Sequence, residues 1–412
     1  MKISELRKES RNEETVLVAN VDSIRFGRNT IWVSVPNKYE EYLTDDRYDG
    51  FLIALLYPAM FYGENIEIDG AVSKRLLRNV NIYIQEILLA YNNKLNRISI
   101  TAKESTSEIY PTARNIGTGF SGGIDSFCTI YDNFVLENDL EYKIDTLVCF
   151  NVGSHGSIND KNTKALFKNR YEFLSVYSNT VDLPLILVDS NIHYYHHEWG
   201  HFYTCILTLL SGALTLQKMF KKYYMASVGW NYNQWINEAG KQQRNDISVQ
   251  EFSEPYLLPL LSTETTEFIL DGIEYSRVQK TAHISEYSLT QQYLNVCLKN
   301  EPQKKNCGEC PKCIRVGLTL SAVDKLDNYN DVYDIETFRK NKYSLMCRAV
   351  LLYKSNVFMR DIVDFAKKND VKYPSYFSAL LYPSFENYKA VLLQFRIGIF
   401  LWKLLKKIIK NK

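Results

Sequence analysis

Between Asn115 and Gly229 the chain alternates short apolar runs with amphipathic stretches, and no other feature constrains its fold as strongly. The runs NIGTGF (115–120), DTLVCFNV (145–152), LPLILVD (183–189) and KYYMASVG (222–229) are nearly continuous in apolar character. Strands buried on both faces of a parallel sheet read in this way. Helical periodicity fills the intervals, from Ile124 to Leu136, Lys161 to Tyr177 and Phe202 to Phe220. The expected fold class is therefore α/β, a doubly wound parallel sheet with crossover helices. Ligands of such sheets bind beyond the carboxyl ends of the strands, near the point where the strand order reverses.

The chain has 412 residues, more than one core usually serves, so several units are expected. Residues 1–110 read as an N-terminal α+β module. Its strands lie within 15–36, at ENIEID and near Arg97 to Thr101, and its helices at Arg47 to Tyr62 and Ser73 to Tyr91. Residues 111–290 form the doubly wound domain, 291–325 a cysteine-rich segment, and 326–412 a mainly helical C-terminal region punctuated by Pro374 and Pro383. The 49 Lys and Arg nearly balance the 47 Asp and Glu, for a formal charge of +2. That balance gives no strong nucleic-acid signal and favours small molecules as partners. Met1 to Glu14 is charged and has no apolar h-region, so a cytoplasmic location is expected.

The strand NIGTGF runs into Ser121-Gly122-Gly123-Ile124-Asp125-Ser126, where a helix begins at once. Adjacent glycines permit a tight turn and close backbone approach, so N–H groups can converge on a phosphate at the helix N-terminus. Ser121 and Ser126 add hydroxyl donors. Asp125 makes sense beside a phosphate if it holds Mg²⁺ or orders the loop. Neither the Walker A pattern nor G-x-G-x-x-G matches these residues.

Four of the eight cysteines fall within seventeen residues, as Cys297-x9-Cys307-x2-Cys310-x2-Cys313. Spacing this short marks a metal site rather than a disulfide framework. Four thiolates suit a closed tetrahedral zinc site, and an iron–sulfur cluster uses similar spacing. Cys128, Cys149, Cys205 and Cys347 lie in apolar surroundings and are expected to be buried thiols.

The segment SGGIDS resembles the PP-loop of the ATP pyrophosphatase superfamily. In that family the loop holds the β- and γ-phosphates of ATP while the α-phosphorus is attacked and pyrophosphate leaves. The resemblance implies an adenine nucleotide alpha hydrolase-like fold. The run Cys307-Gly-Glu-Cys-Pro-Lys-Cys-Ile-Arg315, with Cys297 upstream, is similar to the zinc segment of the 7-cyano-7-deazaguanine synthase family, whose members also carry SGGxDS and turn a carboxylate into a nitrile through an adenylate. It implies Zn²⁺ at the four cysteines, with ATP and Mg²⁺ at Ser121, Gly122, Gly123, Asp125 and Ser126. The likeness spans about residues 115–320. It fails at Asn151-Val-Gly-Ser-His155-Gly and at Ser262-Thr-Glu-Thr, the loops that would meet the acceptor.

Other residues admit two readings. His197-Glu-Trp-Gly-His201 matches H-E-x-x-H in letters, but it sits at an expected loop-to-helix junction with Gly200 inside. His155, His193, His196, His197 and His201 follow the ends of neighbouring strands, so they either line an acceptor pocket or lie at the surface. Arg277 and Lys280 either neutralise departing pyrophosphate, as catalytic residues beside Asp125, or occupy a solvated face. In the tail, Leu401, Leu404, Leu405, Ile408 and Ile409 recur at helical spacing opposite Lys403, Lys406, Lys407 and Lys410. This pattern suits a protein partner's groove, an anionic membrane surface or packing on its own domain.

The resulting expectation is an enzyme, an ATP-dependent carbon–nitrogen ligase that forms AMP and pyrophosphate. It would activate a carboxylate or amide of a small-molecule or modified-base acceptor for attack by ammonia or another nitrogen nucleophile. A nucleotide-sensing scaffold and an RNA thiolase of the same loop family are the alternatives. The thiolase would need a basic face and a sulfur-carrying cysteine, and neither stands out.

Overall fold

A computed structural model describes residues 1–154, 162–199, 201–228, 230–238, 249–299, 304–384 and 387–388. The chain forms two compact units. The first comprises Met1–Ser121 with Asp125–Glu274, and the second Gly122–Ile124 with Tyr275–Lys412.

The first unit is built on one ten-stranded sheet. β1 (Lys2–Arg11), β2 (Glu14–Ser23) and β3 (Gly27–Pro36) form an antiparallel meander, with Asn12 and Gly27 at positive φ in its turns. β4 (Ile66–Ser73) and β5 (Ile100–Thr106) extend the meander in parallel beyond β1. The strands expected around the glycine turn follow as β6 (Asn115–Gly119), β7 (Thr146–Phe150), β8 (Leu185–Ser190) and β9 (Phe220–Ala226), and a fifth, β10 (Glu267–Asp271), had no counterpart in the sequence reading. All five are parallel. β3 joins β8 antiparallel, with Val33 opposite Ser190 and Ser34 opposite Asp189. The sheet order is β10-β9-β6-β7-β8-β3-β2-β1-β4-β5, so the fold is α/β with a mostly parallel sheet.

Side chains alternate across the strands, so the two faces carry different helices. Val148 and Phe150 of β7 and Ile186 and Val188 of β8 join a core with Ile206, Leu207 and Leu210 of the helix His201–Leu214. The helix Asp49–Tyr62 belongs to the same core and is buried from Asp49 to Met60. Each fully buried Leu or Ile there contributes about 1.5–3 kcal/mol relative to exposure. Gly63 ends this helix at φ +67°, donating its N–H to the Ala59 carbonyl. On the opposite face Phe127 packs edge to face against both Phe120 and Tyr177, and those two rings are tilted against each other, with Tyr177 supplied by the helix Thr163–Thr180. The first residue of that expected helix, Lys161, lies outside the described residues.

The second unit is helical among its described residues, with Arg277–Ile284, Thr290–Tyr293, Pro311–Ala322, Ile335–Leu351, Val357–Lys368 and Tyr376–Leu381. Phe338 and Tyr333 fill the space beside Gly317, where a methyl group would stand 2.5 Å from the Phe338 ring. Among the described residues no helix is long and apolar enough to cross a membrane. The expected amphipathic tail, Ile397 to Lys412, lies outside them.

Candidate functional site

β6 lies where the strand order reverses. The chain steps outward from β6 to β7 and β8, then resumes on the other side of β6 with β9 and β10. Residues following such a strand face the crevice in which open α/β sheets bind ligands. The glycine loop occupies that position. Phe120 donates its N–H to the Val148 carbonyl at 2.8 Å, and beyond it Gly122 turns to φ +75°. A residue with a side chain adopts this backbone at a cost of about 1–2 kcal/mol. Gly122 is also buried, and its carbonyl accepts the Asn295 N–H at 2.8 Å. Nothing in the sequence pointed to Asn295.

The two serines close the loop on itself. Ser126 Oγ stands 3.1 Å from Ser121 Oγ and 3.4 Å from the Ser121 nitrogen. The helix Ile124–Ile130 starts inside the loop and carries Asp125 in its first turn. It continues through a wider turn, Tyr131–Leu136, matching the helix expected over 124–136. Ser121 is exposed, Gly123 and Asp125 are half-buried, and Ser126 is buried. Of the two hydroxyls, only that of Ser121 belongs to an exposed residue, and the turn lies at the start of a helix, where anionic ligands commonly bind.

In the second unit the four expected cysteines come together, and all their Sγ atoms lie within 4.8 Å of one another. Thiolates bound at 2.3 Å to a tetrahedral zinc stand about 3.8 Å apart. The Sγ atoms of Cys307 and Cys313 are 3.9 Å apart. Backbone N–H groups point at the sulfurs: Lys299 to Cys297 at 3.3 Å, Cys310 to Cys307 at 3.3 Å and Cys313 to Cys310 at 3.5 Å. Hydrogen bonds of this kind to metal-binding sulfurs hold thiolates in place. Cys310 also caps the helix Pro311–Ala322, with proline in its first turn. Its bond with Cys313 pulls the Cys310 thiol down to about 4, while the same bond drives Cys313 upward. Crowded thiols split in this way, and a divalent cation would hold all four as thiolates. The cluster could hold a metal ion and is compatible with zinc.

Two supports of this cluster were missed in the sequence. Asn306 is fully buried, and its Oδ1 accepts the N–H groups of Val296 at 2.8 Å and Cys297 at 3.0 Å. Its Nδ2 donates to the carbonyls of Leu294 and Val332, so this side chain, next to Cys307, ties that segment to the one bearing Cys297 and to Val332. Tyr333 donates its hydroxyl to the Cys313 carbonyl. Adjacency to Cys307 was the only signal for Asn306, and Tyr333 carried none.

Arg277 and Lys280 lie on the helix Arg277–Ile284, which opens with a capping box between Ser276 and Gln279. Lys280 is only 2% exposed, so the solvated face allowed for it is incorrect. It shares the buried side of this helix with Thr281 and Ile284. Arg277 is half-buried, with its guanidinium 5.8 Å from the Phe358 ring, and Arg315 stands 4.9 Å from the same ring.

The histidines separate into groups. His197 and Glu198 lie in a turn after the helix Ile192–His196, and His201 begins a new helix. The H-E-x-x-H letters therefore never share one helical face, as a metal peptidase requires. His193 and His196 are buried at 5% and 4% exposure, which corrects the surface reading for both. Burial, and then neighbouring histidines, push each down to about 4; the hydrogen bond from His196 Nε2 to the Ala54 carbonyl at 2.6 Å only partly offsets this. Beside them Asn151 Nδ2 donates to Asp189 at 2.6 Å, and burial pushes the Asp189 carboxyl up. Gly153, at φ +117°, passes so close that a methyl group there would stand 3.2 Å from His193 Cβ. His155 and Gly200 lie outside the described residues.

Cys128, Cys149, Cys205 and Cys347 are buried thiols outside any disulfide, as expected. Among the described residues no second group of three or more potential ligands converges as the four cysteines do. Compared with known protein families, curated proteins and solved structures, the chain matches none.

Proposed function

We propose that this chain is an ATP-dependent adenylating ligase of the PP-loop type, built on an adenine nucleotide alpha hydrolase-like sheet. The carrying observation is the SGGIDS loop, with a left-handed glycine and two hydroxyls in contact, immediately after the strand at which the order reverses. Backbone N–H groups there suit the β- and γ-phosphates of ATP, the unit that departs. Asp125, in the first helical turn, is the residue that would hold Mg²⁺, whose charge would offset that of the polyphosphate.

The chemistry consists of two displacements. A carboxylate oxygen of the acceptor attacks the α-phosphorus, the bond to the bridging oxygen breaks, and pyrophosphate carries off the electron pair. A nitrogen nucleophile then adds to the acyl carbon, and AMP leaves with the carboxyl oxygen. Positioning and charge neutralisation would supply much of the acceleration. Arg277 and Lys280 are proposed to stabilise the departing pyrophosphate. The acceptor is proposed to bind beyond β7 and β8, where Asn151 Oδ1 and both ring nitrogens of His193 have no hydrogen-bond partner among the described residues. Four thiolates leave zinc no open position, which supports a structural role for that metal.

Exchange of labelled pyrophosphate into ATP, in the presence of candidate carboxylates, tests the first displacement without the final nucleophile. Acceptor-dependent exchange supports the proposal. ATP binding without exchange across a broad carboxylate panel would favour a sensor.

A further inference from the structure

We propose that Asn306 is a positioning residue for the glycine loop, and that through it the filling of the four-cysteine site sets how tightly the loop holds a polyphosphate. The inference rests on the reading of that loop as a nucleotide site. Gly122–Ile124 belongs to the same compact unit as the cysteines. The peptide joining Gly122 to Gly123 has a glycine on each side, so its plane can turn over at little steric cost. A hydrogen bond selects one orientation, because the Gly122 carbonyl accepts the Asn295 N–H at 2.8 Å. In a planar trans peptide the carbonyl and the following N–H point in opposite directions, so the same bond aims the Gly123 N–H.

Asn295 is itself held from both sides by Asn306. Residues Leu294 to Cys297 are buried, and Leu294, at φ −64° and ψ 121°, leads the chain out of the helix Thr290–Tyr293 in extended form. Before Asn295, the Leu294 carbonyl accepts Asn306 Nδ2 at 2.9 Å. After it, Asn306 Oδ1 accepts the N–H groups of Val296 at 2.8 Å and Cys297 at 3.0 Å. The second amide hydrogen goes to the Val332 carbonyl at 2.8 Å, so both donors and both lone pairs of this side chain are engaged. Its backbone is pinned as well: the Asn306 N–H donates to the Val332 carbonyl at 2.8 Å, and the Asn306 carbonyl accepts the Asp334 N–H at 2.9 Å. Asn306 is 0% exposed, so water cannot take over these bonds.

This bracket adjoins the metal-binding cluster at two points. Cys297 follows Val296, and Cys307 follows Asn306. A cation shared by their sulfurs would clamp the Leu294–Cys297 segment to the Cys307 segment, alongside the clamp that Asn306 makes. Both clamps bear on the one N–H that orients the Gly122 carbonyl. Filling the cysteine site and binding a polyphosphate at the loop are thus coupled, and each favours the other.

The test measures amide exchange and affinity for Mg²⁺-ATP in the full chain, with zinc in excess or removed by a chelator. Zinc-loaded wild type is expected to protect the peptides covering Gly122 and Asn295. Zinc removal should speed exchange in both, leave β7 protected, and weaken Mg²⁺-ATP binding by about tenfold or more. Asn306→Ala, kept loaded by excess metal, should show the same losses, while the thiolate absorption of cobalt in place of zinc confirms that its cluster is filled. Asn295→Pro deletes the N–H itself, behind a Leu294 backbone that precedes proline without strain, and should weaken ATP binding at unchanged zinc content. Where Asn306→Ala does not fold, Asn295→Pro and the wild-type zinc titration decide. Zinc-dependent exchange at Gly122 without ATP binding by the loaded wild type would refute the nucleotide reading and leave the positioning role standing. ATP binding indifferent to zinc and to both variants would refute the positioning role and leave the nucleotide reading standing. Loss of protection throughout the chain on zinc removal would make the metal a general stabiliser and would also overturn the proposal.

Discussion

Replacing Cys310 by serine separates the metal from the fold around it. Cys310 has two roles: its sulfur belongs to the four-sulfur cluster, and the same atom accepts the Cys313 N–H as the N-cap of Pro311–Ala322. Serine is a preferred N-cap, so Cys310→Ser keeps the cap and removes only a metal ligand. Zinc binding by small four-ligand domains contributes about 10–16 kcal/mol, so one ligand of four carries roughly 3 kcal/mol. That corresponds to a loss of about two orders of magnitude in affinity. The assay is zinc content after dialysis against a weak chelator, paired with the melting temperature. The wild type is expected to retain about one zinc per chain, whereas Cys310→Ser loses it and melts lower or aggregates. Cys347→Ser, outside the cluster, should keep its metal. Full zinc in Cys310→Ser would refute the assignment.

The histidines at the end of β8 make stability depend on acid. His193 and His196 have folded values lowered to about 4, so their neutral forms stabilise the native state above the unfolded value near 6.5, and that contribution is lost as pH falls from there towards 4. Asp49 and Asp271, raised to about 6 by burial, act in the opposite sense over the same interval and mask part of the loss. His196→Gln should therefore raise stability at pH 4.5, relative to pH 7.5, by roughly 3 kcal/mol against the wild type. Urea unfolding at the two pH values measures this. An unaltered pH dependence would show that His196 is not buried neutral. Gly317→Ala would bring a methyl group to 2.5 Å from Phe338 and 2.8 Å from the Tyr333 hydroxyl, at an expected cost of about 1–3 kcal/mol. Thermal unfolding checks it, and an unchanged melting temperature would contradict that packing. The double replacement His197→Ala and His201→Ala should leave metal content unaltered, because neither histidine belongs to the cysteine cluster; loss of zinc would contradict the ligand set.

What could be read from the sequence follows from locality. β6 to β9 were legible because each is a buried apolar run flanked by helical periodicity, and the glycine turn was legible because its residues are contiguous. The four cysteines were legible for the same reason, and the structure brings their sulfurs together. β1 was missed because KISELRKESR is half solvated and its charges hide the alternation. β10 was missed because five residues with one fully buried side chain give too little pattern. The helix placed over 202–220 ends at Leu214, since the five residues Thr215 to Met219, without glycine or proline, conceal the passage from helix through turn to β9. The pairing of β3 with β8 joins segments far apart in sequence, and no local pattern records it. Burial of His193, His196 and Lys280 was illegible for a related reason, because polar residues turned inward look like surface residues until their neighbours are known.

The central claim is that the Ser121 to Ser126 loop grips the leaving β,γ unit of ATP. It is tested most directly by identifying the nucleotide product with α-labelled ATP, Mg²⁺ and a candidate acceptor panel. AMP is expected to accumulate with equimolar pyrophosphate and without ADP. Asp125→Ala should abolish turnover by removing the proposed Mg²⁺ contact, and Gly122→Val by blocking close backbone approach at φ +75°, with the fold preserved by circular dichroism. Formation of ADP instead, at a rate that Asp125→Ala leaves unchanged, would contradict the account.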